Sequence, residues 1–165
     1  MKMSGLSNQL QEDASQDVPP FGTESLRISR QLGASALLTV EALRESDPDA
    51  YNLLPAEERA ECYVDALLTN TFYNTWGLPG YQLSATSRAL ISLGEKAVAV
   101  LKPLLCDRRF APHSGSKDAT ASNVYGNRVC DYAWVFISEI RHRPYAYSQS
   151  PAERDLAIDE LRESL

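Results

Sequence analysis

Apolar residues recur at helical spacing along most of this chain of 165 residues, and polar residues fill the positions between them. The spacing predicts helices over about residues 23–45, 55–71, 85–93, 95–105, 127–141 and 150–165. No segment alternates between apolar and polar residues with the period of two that marks a half-buried strand. We therefore predict an all-α fold, a compact bundle of about six helices.

Local start and stop signals support several of these boundaries. Ser84 is placed to cap the helix that follows it, and Gly94 is a typical helix-terminating glycine. Ser150, Pro151 and Glu153 form a capping-box sequence with proline at the first helical position. These residues predict two helices separated at Gly94 and a last helix that begins at Pro151.

Two stretches lie outside the helical pattern. Residues 1–22 are rich in Ser, Gln, Asp and Pro, and they predict a disordered or extended arm before a single helical domain over residues 23–165. Residues 106–123 are polar and nonperiodic, and Asn123 or Asn127 is expected to begin the next helix. A loop of this length in a compact domain is usually functional or disordered.

The stretch SRALISLGEKAVAVLKPLLCD, residues 87–107, resembles one HEAT-like (armadillo-type) helical repeat. The similar positions are a glycine between two helices and the pattern A-V-x-x-L-x-x-L-L-x-D, here Gly94, Ala97, Val98, Leu101, Leu104, Leu105 and Asp107. The resemblance covers about residues 84–141, and the stretch 106–123 departs from the short connector of the family. It implies a short antiparallel helical-pair core and a binding scaffold without chemistry of its own.

The charge along the chain is uneven. The net charge is −6, yet residues 76–148 carry +4 between acidic segments of −7 and −3. An acidic chain is a poor nonspecific binder of nucleic acid, so the expected partner is another protein. The first residues lack a signal-peptide pattern, no apolar run is long enough for a membrane span, and three cysteines fit a reducing compartment. These features predict a cytoplasmic protein that binds no membrane.

The basic segment supplies the predicted partner-binding surface. Arginine and tyrosine concentrate binding energy at interfaces, and Tyr145 and Tyr147 are expected to be exposed beside two arginines. Arg128 either pairs with Asp131 on the helix surface or presents its guanidinium to an acidic group of a partner. The predicted surface comprises Arg108, Arg109, Arg128, Arg141, Arg143, Tyr145 and Tyr147.

A weaker candidate is an anion site in the segment 106–128. Serine hydroxyls, a glycine-permitted backbone nest and a cation are groups that bind phosphate, and here they are His113, Ser114, Ser116 and Lys117. The cysteine and histidine spacings match no standard zinc pattern, so no metal or other cofactor is predicted. No catalytic residue is assigned, because the chain has only two histidines and no nucleophile signature.

Three functional hypotheses follow. The first is a non-enzymatic adaptor or regulatory protein that binds another protein on its helical scaffold. The second is a small enzyme, or an anion- or ligand-binding protein, that uses the segment 106–128. The third is an acidic inhibitor or immunity-type protein whose negative N-terminal half covers a basic target.

Overall fold

The computed structural model describes residues 35–69, 75–111 and 117–165. The described helices are α1 (Ser35–Ser46), α2 (Pro48–Leu53), α3 (Ala56–Thr69), α4 (Ala85–Ile91), α5 (Glu95–Leu101), α6 (Lys117–Tyr125), α7 (Val129–Ile140) and α8 (Pro151–Glu163). A 3-10 helix, Lys102–Cys106, continues directly from α5. The predicted all-α class is confirmed, with eight α-helices in the described residues where about six were expected. The predicted N-terminal arm and the first part of the first predicted helix lie outside these residues.

The local signals at α4 and α5 act as predicted. The Ser84 side chain accepts a hydrogen bond from the backbone N–H of Ser87, at 3.2 Å, and so caps α4. Gly94 ends the turn after α4 at φ +63, a left-handed conformation that glycine adopts without the cost of a Cβ. The capping box predicted at Ser150 is wrong, because Ser150 makes no side-chain cap and Glu153 instead accepts from Ser148.

The middle of the fold is α7. Its residues from Val129 to Ser138 are all buried, and the helix packs against α4, α5, α8 and the 3-10 helix. On the other side of the core, α3 packs against α1 and α5. The sequence of this helix, VCDYAWVFISEI, is apolar on nearly every side, which explains why it is buried between several neighbours.

A small hairpin lies between the second and third helices that the sequence predicted, where no helix was expected. Strands β1 (Gly77–Leu78) and β2 (Gln82–Leu83) pair antiparallel, with Gly77 opposite Leu83 and Leu78 opposite Gln82. The Tyr81 N–H donates to the Leu78 carbonyl at 3.1 Å across Pro79 and Gly80, and Gly80 has φ +77. Proline followed by a glycine of positive φ is the pattern of a type II turn.

The prediction of one long loop over residues 106–123 is wrong. The 3-10 helix reaches Cys106, and α6 occupies Lys117–Tyr125. The prediction that Asn123 or Asn127 begins the next helix is wrong as well, because Asn123 lies within α6 and α7 begins at Val129. The α6 sequence, KDATASNVY, has no apolar stripe, which explains why helical periodicity did not reveal it.

Candidate functional site

The side chain of Arg128 lies inside the protein. It is only 10 % exposed, and it donates to Asp131 through Nε at 3.1 Å and through Nη2 at 2.9 Å. The same Nη2 donates to Oδ1 of Asp155 at 2.7 Å. Hydrogen bonding to Asp131 raises the pKa of Arg128. The hypothesis that Arg128 presents its guanidinium to a partner is wrong, since Asp131 and Asp155 occupy that group.

Sequence reasoning missed the residue that completes this network. Arg154 and Asp131 are both fully buried, and Nε of Arg154 lies 3.1 Å from Oδ1 of Asp131. The other guanidinium nitrogens of Arg154 donate to four backbone carbonyls. Two of these, Tyr125 and Gly126, lie at the end of α6, and the other two, Ser148 and Gln149, lie just before α8. A signal was present, because Arg154 stands in the register of the apolar face of α8 with Ile158 and Leu161.

The remaining arginines of the predicted surface do not form one patch. Arg108 pairs with Asp155, Arg109 with Asp107, Arg141 with Glu95, and the Arg143 guanidinium donates to Ser164. Arg128 precedes the first residue of α7 and Arg141 follows the last. With a rise of 1.5 Å per residue, about 20 Å separates them along the helix axis. The structure therefore divides the arginines between the two ends of α7.

Tyr145 and Tyr147 are half-buried, so the expectation that both are exposed is wrong. Their rings pack on Trp134, with centroids 5.7 Å and 5.8 Å from the indole. The Tyr147 hydroxyl donates to Asn127 Oδ1 and the Tyr145 hydroxyl to Glu139 Oε1, both at 2.6 Å. Burial, and for Tyr145 the bond to Glu139, raises the pKa of both phenols. Both tyrosines are thus fixed in position.

The predicted anion site cannot be assembled from the described residues. His113, Ser114 and Ser116 lie outside them, and Lys117 is described only as the first residue of α6. Within residues 35–69, 75–111 and 117–165, no group of three or more His, Cys, Asp or Glu side chains could hold a metal ion. Cys62 and Cys130 are buried and Cys106 is exposed, and burial raises the pKa of the Cys130 thiol.

The tip of the hairpin carries the feature that most resembles a binding site. Tyr81 is 86 % exposed and lies between two clefts that share Gly80 and Tyr81. The first, here called the Asn127 cleft, has a volume of about 330 Å³, and Leu78, Pro79, Ala121, Tyr125, Asn127 and Tyr147 complete its lining. The second, here called the Arg88 cleft, has a volume of about 430 Å³, and Gln82, Leu83, Arg88, Ile91, Ser92, Glu139 and Tyr145 complete its lining.

The hairpin is held firmly against the helices beneath it. The Tyr132 hydroxyl donates to the Gly77 carbonyl at 2.9 Å, and the Ser87 hydroxyl donates to the Trp76 carbonyl at 2.6 Å. A Cβ on Gly80 would lie 2.2 Å from Cβ of Tyr147, so the turn depends on glycine for space as well as for its φ. The exposed Tyr81 ring therefore projects from a backbone that is already ordered.

No helix in the described part of the chain is long and apolar enough to cross a lipid bilayer. The groups that line the two clefts are phenol rings, two amides, a serine hydroxyl, apolar residues and the Arg88 and Glu139 side chains. Together they can bind an extended ligand by stacking and hydrogen bonding. Comparison of the chain with known protein families, with curated proteins and with solved structures finds no match.

Proposed function

We propose that this protein is a non-enzymatic scaffold that binds another protein, and that the hairpin tip is the element that contacts the partner. One observation carries the proposal: Tyr81 is 86 % exposed although the backbone that bears it is fixed on both sides. Tyrosine is enriched among the residues that dominate interface energies. A fixed tyrosine loses little conformational entropy when a partner binds, which favours affinity.

The HEAT-like resemblance predicts the same class of function, and it stays a prediction. The arginine surface stays a prediction as well. It is now limited to Arg108 and Arg109, which are exposed at one end of α7, and to Arg141 and Arg143, which are partly exposed at the other. These arginines already bind side chains of their own chain, so a partner would have to displace those contacts. Tyr81 makes no side-chain hydrogen bond or ion pair with any residue that the structure describes, which is why the hairpin is the preferred surface.

The proposal is tested by placing a photo-crosslinking amino acid at position 81 and identifying the protein that it captures. Binding of the purified partner is then measured by calorimetry for the wild type and for Tyr81→Ala. We expect Tyr81→Ala to weaken binding about 30-fold, the effect of a hot spot of about 2 kcal/mol. Phe110→Ala is the matched control, because Phe110 is an aromatic side chain that is 76 % exposed.

A second pair of variants tests the position of the ring rather than its presence. Gly80→Ala and Gly94→Ala both place a Cβ at positive φ, but only the first meets the Tyr147 side chain, since Gly94 has nothing within 4 Å. We expect Gly80→Ala to weaken binding and Gly94→Ala to leave it unchanged. Equal binding by Tyr81→Ala and the wild type would overturn the proposal.

The same measurements separate the competing hypotheses. Loss of binding on reversal of Arg108 and Arg109, with Tyr81→Ala unaffected, would favour the arginine surface. Loss on reversal of Glu57, Glu58 and Glu61 alone would favour the acidic-inhibitor hypothesis. Either result would replace the hairpin as the contact element.

A further inference from the structure

We propose that the two clefts beside Tyr81 together bind one extended, proline-containing peptide segment that carries an acidic side chain. This inference rests on the proposed function and names the chemistry of the partner. The prolines would occupy the Asn127 cleft, the backbone would cross the Tyr81 ring, and the acidic side chain would reach Arg88.

The shape of the surface favours an extended ligand. The clefts share Gly80 and Tyr81, so the hairpin tip borders both of them. A helix about 10 Å wide needs one continuous groove, whereas the surface here is divided into two clefts that meet at the hairpin tip. A polyproline II segment has three residues per turn and a rise of about 3.1 Å per residue, so its side chains can enter separate clefts on either side of a ridge.

The Asn127 cleft has the chemistry that recognises proline. Among the described residues that line it none is charged, and the ring of Tyr125 gives a flat apolar face on which a pyrrolidine ring can pack. Tyr125 accepts a hydrogen bond from Nε2 of Gln149 at 3.3 Å, which leaves its own O–H to donate to a peptide carbonyl. Proline-rich segments already populate the bound conformation, so shallow aromatic clefts can hold them at a small entropic cost.

The Arg88 cleft adds charge complementarity. Arg88 is exposed and makes no ion pair with any residue that the structure describes. Glu139, the other charged group among the described residues of this cleft, already accepts a hydrogen bond from the Tyr145 hydroxyl at 2.6 Å. The guanidinium of Arg88 is therefore placed to bind a carboxylate of the ligand with two parallel hydrogen bonds.

The test is a titration of the full-length, ¹⁵N-labelled protein with synthetic peptides, followed by NMR. The probe is a blocked peptide of Ala-Pro-Pro repeats that ends in Glu-Glu. One control replaces every proline by alanine, and the other replaces both Glu residues by Gln. We expect the probe to shift the amide signals of Gly80, Tyr81, Asn127 and Tyr147, and the alanine peptide to bind at least about tenfold more weakly.

The Arg88→Gln variant and the Gln peptide together form a double-mutant cycle that tests the contact between Arg88 and the acidic side chains of the peptide. The variant should bind the Glu and Gln peptides equally, whereas the wild type should prefer the Glu peptide several-fold. The inference is overturned if the alanine peptide binds as tightly as the probe, or if the shifted amides lie away from the hairpin. It is also overturned if neither peptide binds while the protein partner still depends on Tyr81. In that last case the proposed function stands and only the proline-containing ligand is rejected.

Discussion

Each end of α7 carries an ion pair between an arginine and a carboxylate, but the surroundings of the two pairs are opposite. At the N-terminal end, Nη2 of Arg128 lies 2.9 Å from Oδ1 of Asp131, and the carboxylate is fully buried. At the C-terminal end, Nη2 of Arg141 lies 2.9 Å from Oε2 of Glu95, and the side chain of Glu95 is 65 % exposed. Because the distances are equal, burial is what distinguishes the two pairs, and we expect burial to decide how much each pair stabilises the fold.

The buried end also supports the candidate site. Asp131 pairs with Arg154, the Arg154 guanidinium lies 5.3 Å from the centre of the Tyr147 ring, and Tyr147 packs against Gly80 in the hairpin turn. The C-terminal end of α7 reaches the candidate site in another way, because Glu139 lines the Arg88 cleft and accepts a hydrogen bond from the Tyr145 hydroxyl. The buried charge network therefore lies beneath the Asn127 cleft, which Tyr147 lines.

The largest expected effect comes from breaking the buried end. Asp131→Asn removes the charge that compensates Arg128 and Arg154 while nearly keeping the side-chain shape. Loss of one partner of a buried ion pair typically costs about 3–5 kcal/mol, because the remaining charge is left uncompensated. We expect a loss of that size in the free energy of unfolding, measured by guanidinium denaturation.

The control for this prediction is Asp155→Asn. Asp155 binds Arg108 and Arg128, but its side chain is 36 % exposed, so water can solvate the arginines that it leaves. We expect a clearly smaller loss than for Asp131→Asn. Equal losses in the two variants would contradict the conclusion that burial sets the energetic importance of these pairs.

A half-buried pair elsewhere in the fold lies between these extremes. The Glu41 side chain is 17 % exposed and accepts hydrogen bonds from Arg44, Tyr63 and Thr86. Burial alone would raise the pKa of Glu41, but these hydrogen bonds outweigh it and hold the pKa below its ordinary value of 4.5. Glu41→Gln should cost about 1 kcal/mol at neutral pH, less than a fully buried charged bond, because solvent screens the group.

The pH dependence of this variant gives a second test. A carboxyl whose folded pKa is lowered stabilises the protein above its unfolded pKa, and that contribution is lost as the pH falls through the folded pKa. The difference in melting temperature between the wild type and Glu41→Gln should therefore be full at neutral pH and shrink below pH 4.5. Glu45→Gln is the control, since Glu45 is 73 % exposed and should show little difference at any pH. A gap that grows on acidification would refute the assignment.

Much of the fold could be predicted from the sequence, because the spacing of apolar residues shows which side of a helix is buried. The stripe Val129, Ala133, Phe136, Ile137 and Ile140 marked α7, whose residues from Val129 to Ser138 are all buried. Helix α6 could not be found in that way, because it has no apolar stripe. The two-residue strands were too short for an alternating pattern to be visible.

The candidate site was predicted less well, for a physical reason. The sequence gives the type of a side chain but not the groups that it contacts. Arg128 and Arg109 therefore could not be distinguished in the sequence, although one is buried and the other is 71 % exposed. Tyr145 and Tyr147 stood in a polar connector, yet Trp134 covers them from a different element. Tyr81 was not among the predicted site residues, because its exposure depends on a turn that brings Gly80 against Tyr147.

The smallest expected effect belongs to the exposed end of α7. The hydrogen bond from Arg141 lowers the pKa of Glu95, but both groups can be solvated by water when the pair is broken. Arg141→Ala, Glu95→Gln and the double variant should therefore all melt within about a degree of the wild type in a thermal scan at physiological salt. Raising the salt should remove any residual difference, since exposed charges are screened over a few ångströms at high ionic strength. A coupling between the two variants that persists at high salt would mean that this pair is sheltered from solvent. In that case the Arg141–Glu95 pair would not be an exposed pair, and the proposed difference in stabilisation between the two ends of α7 would be rejected.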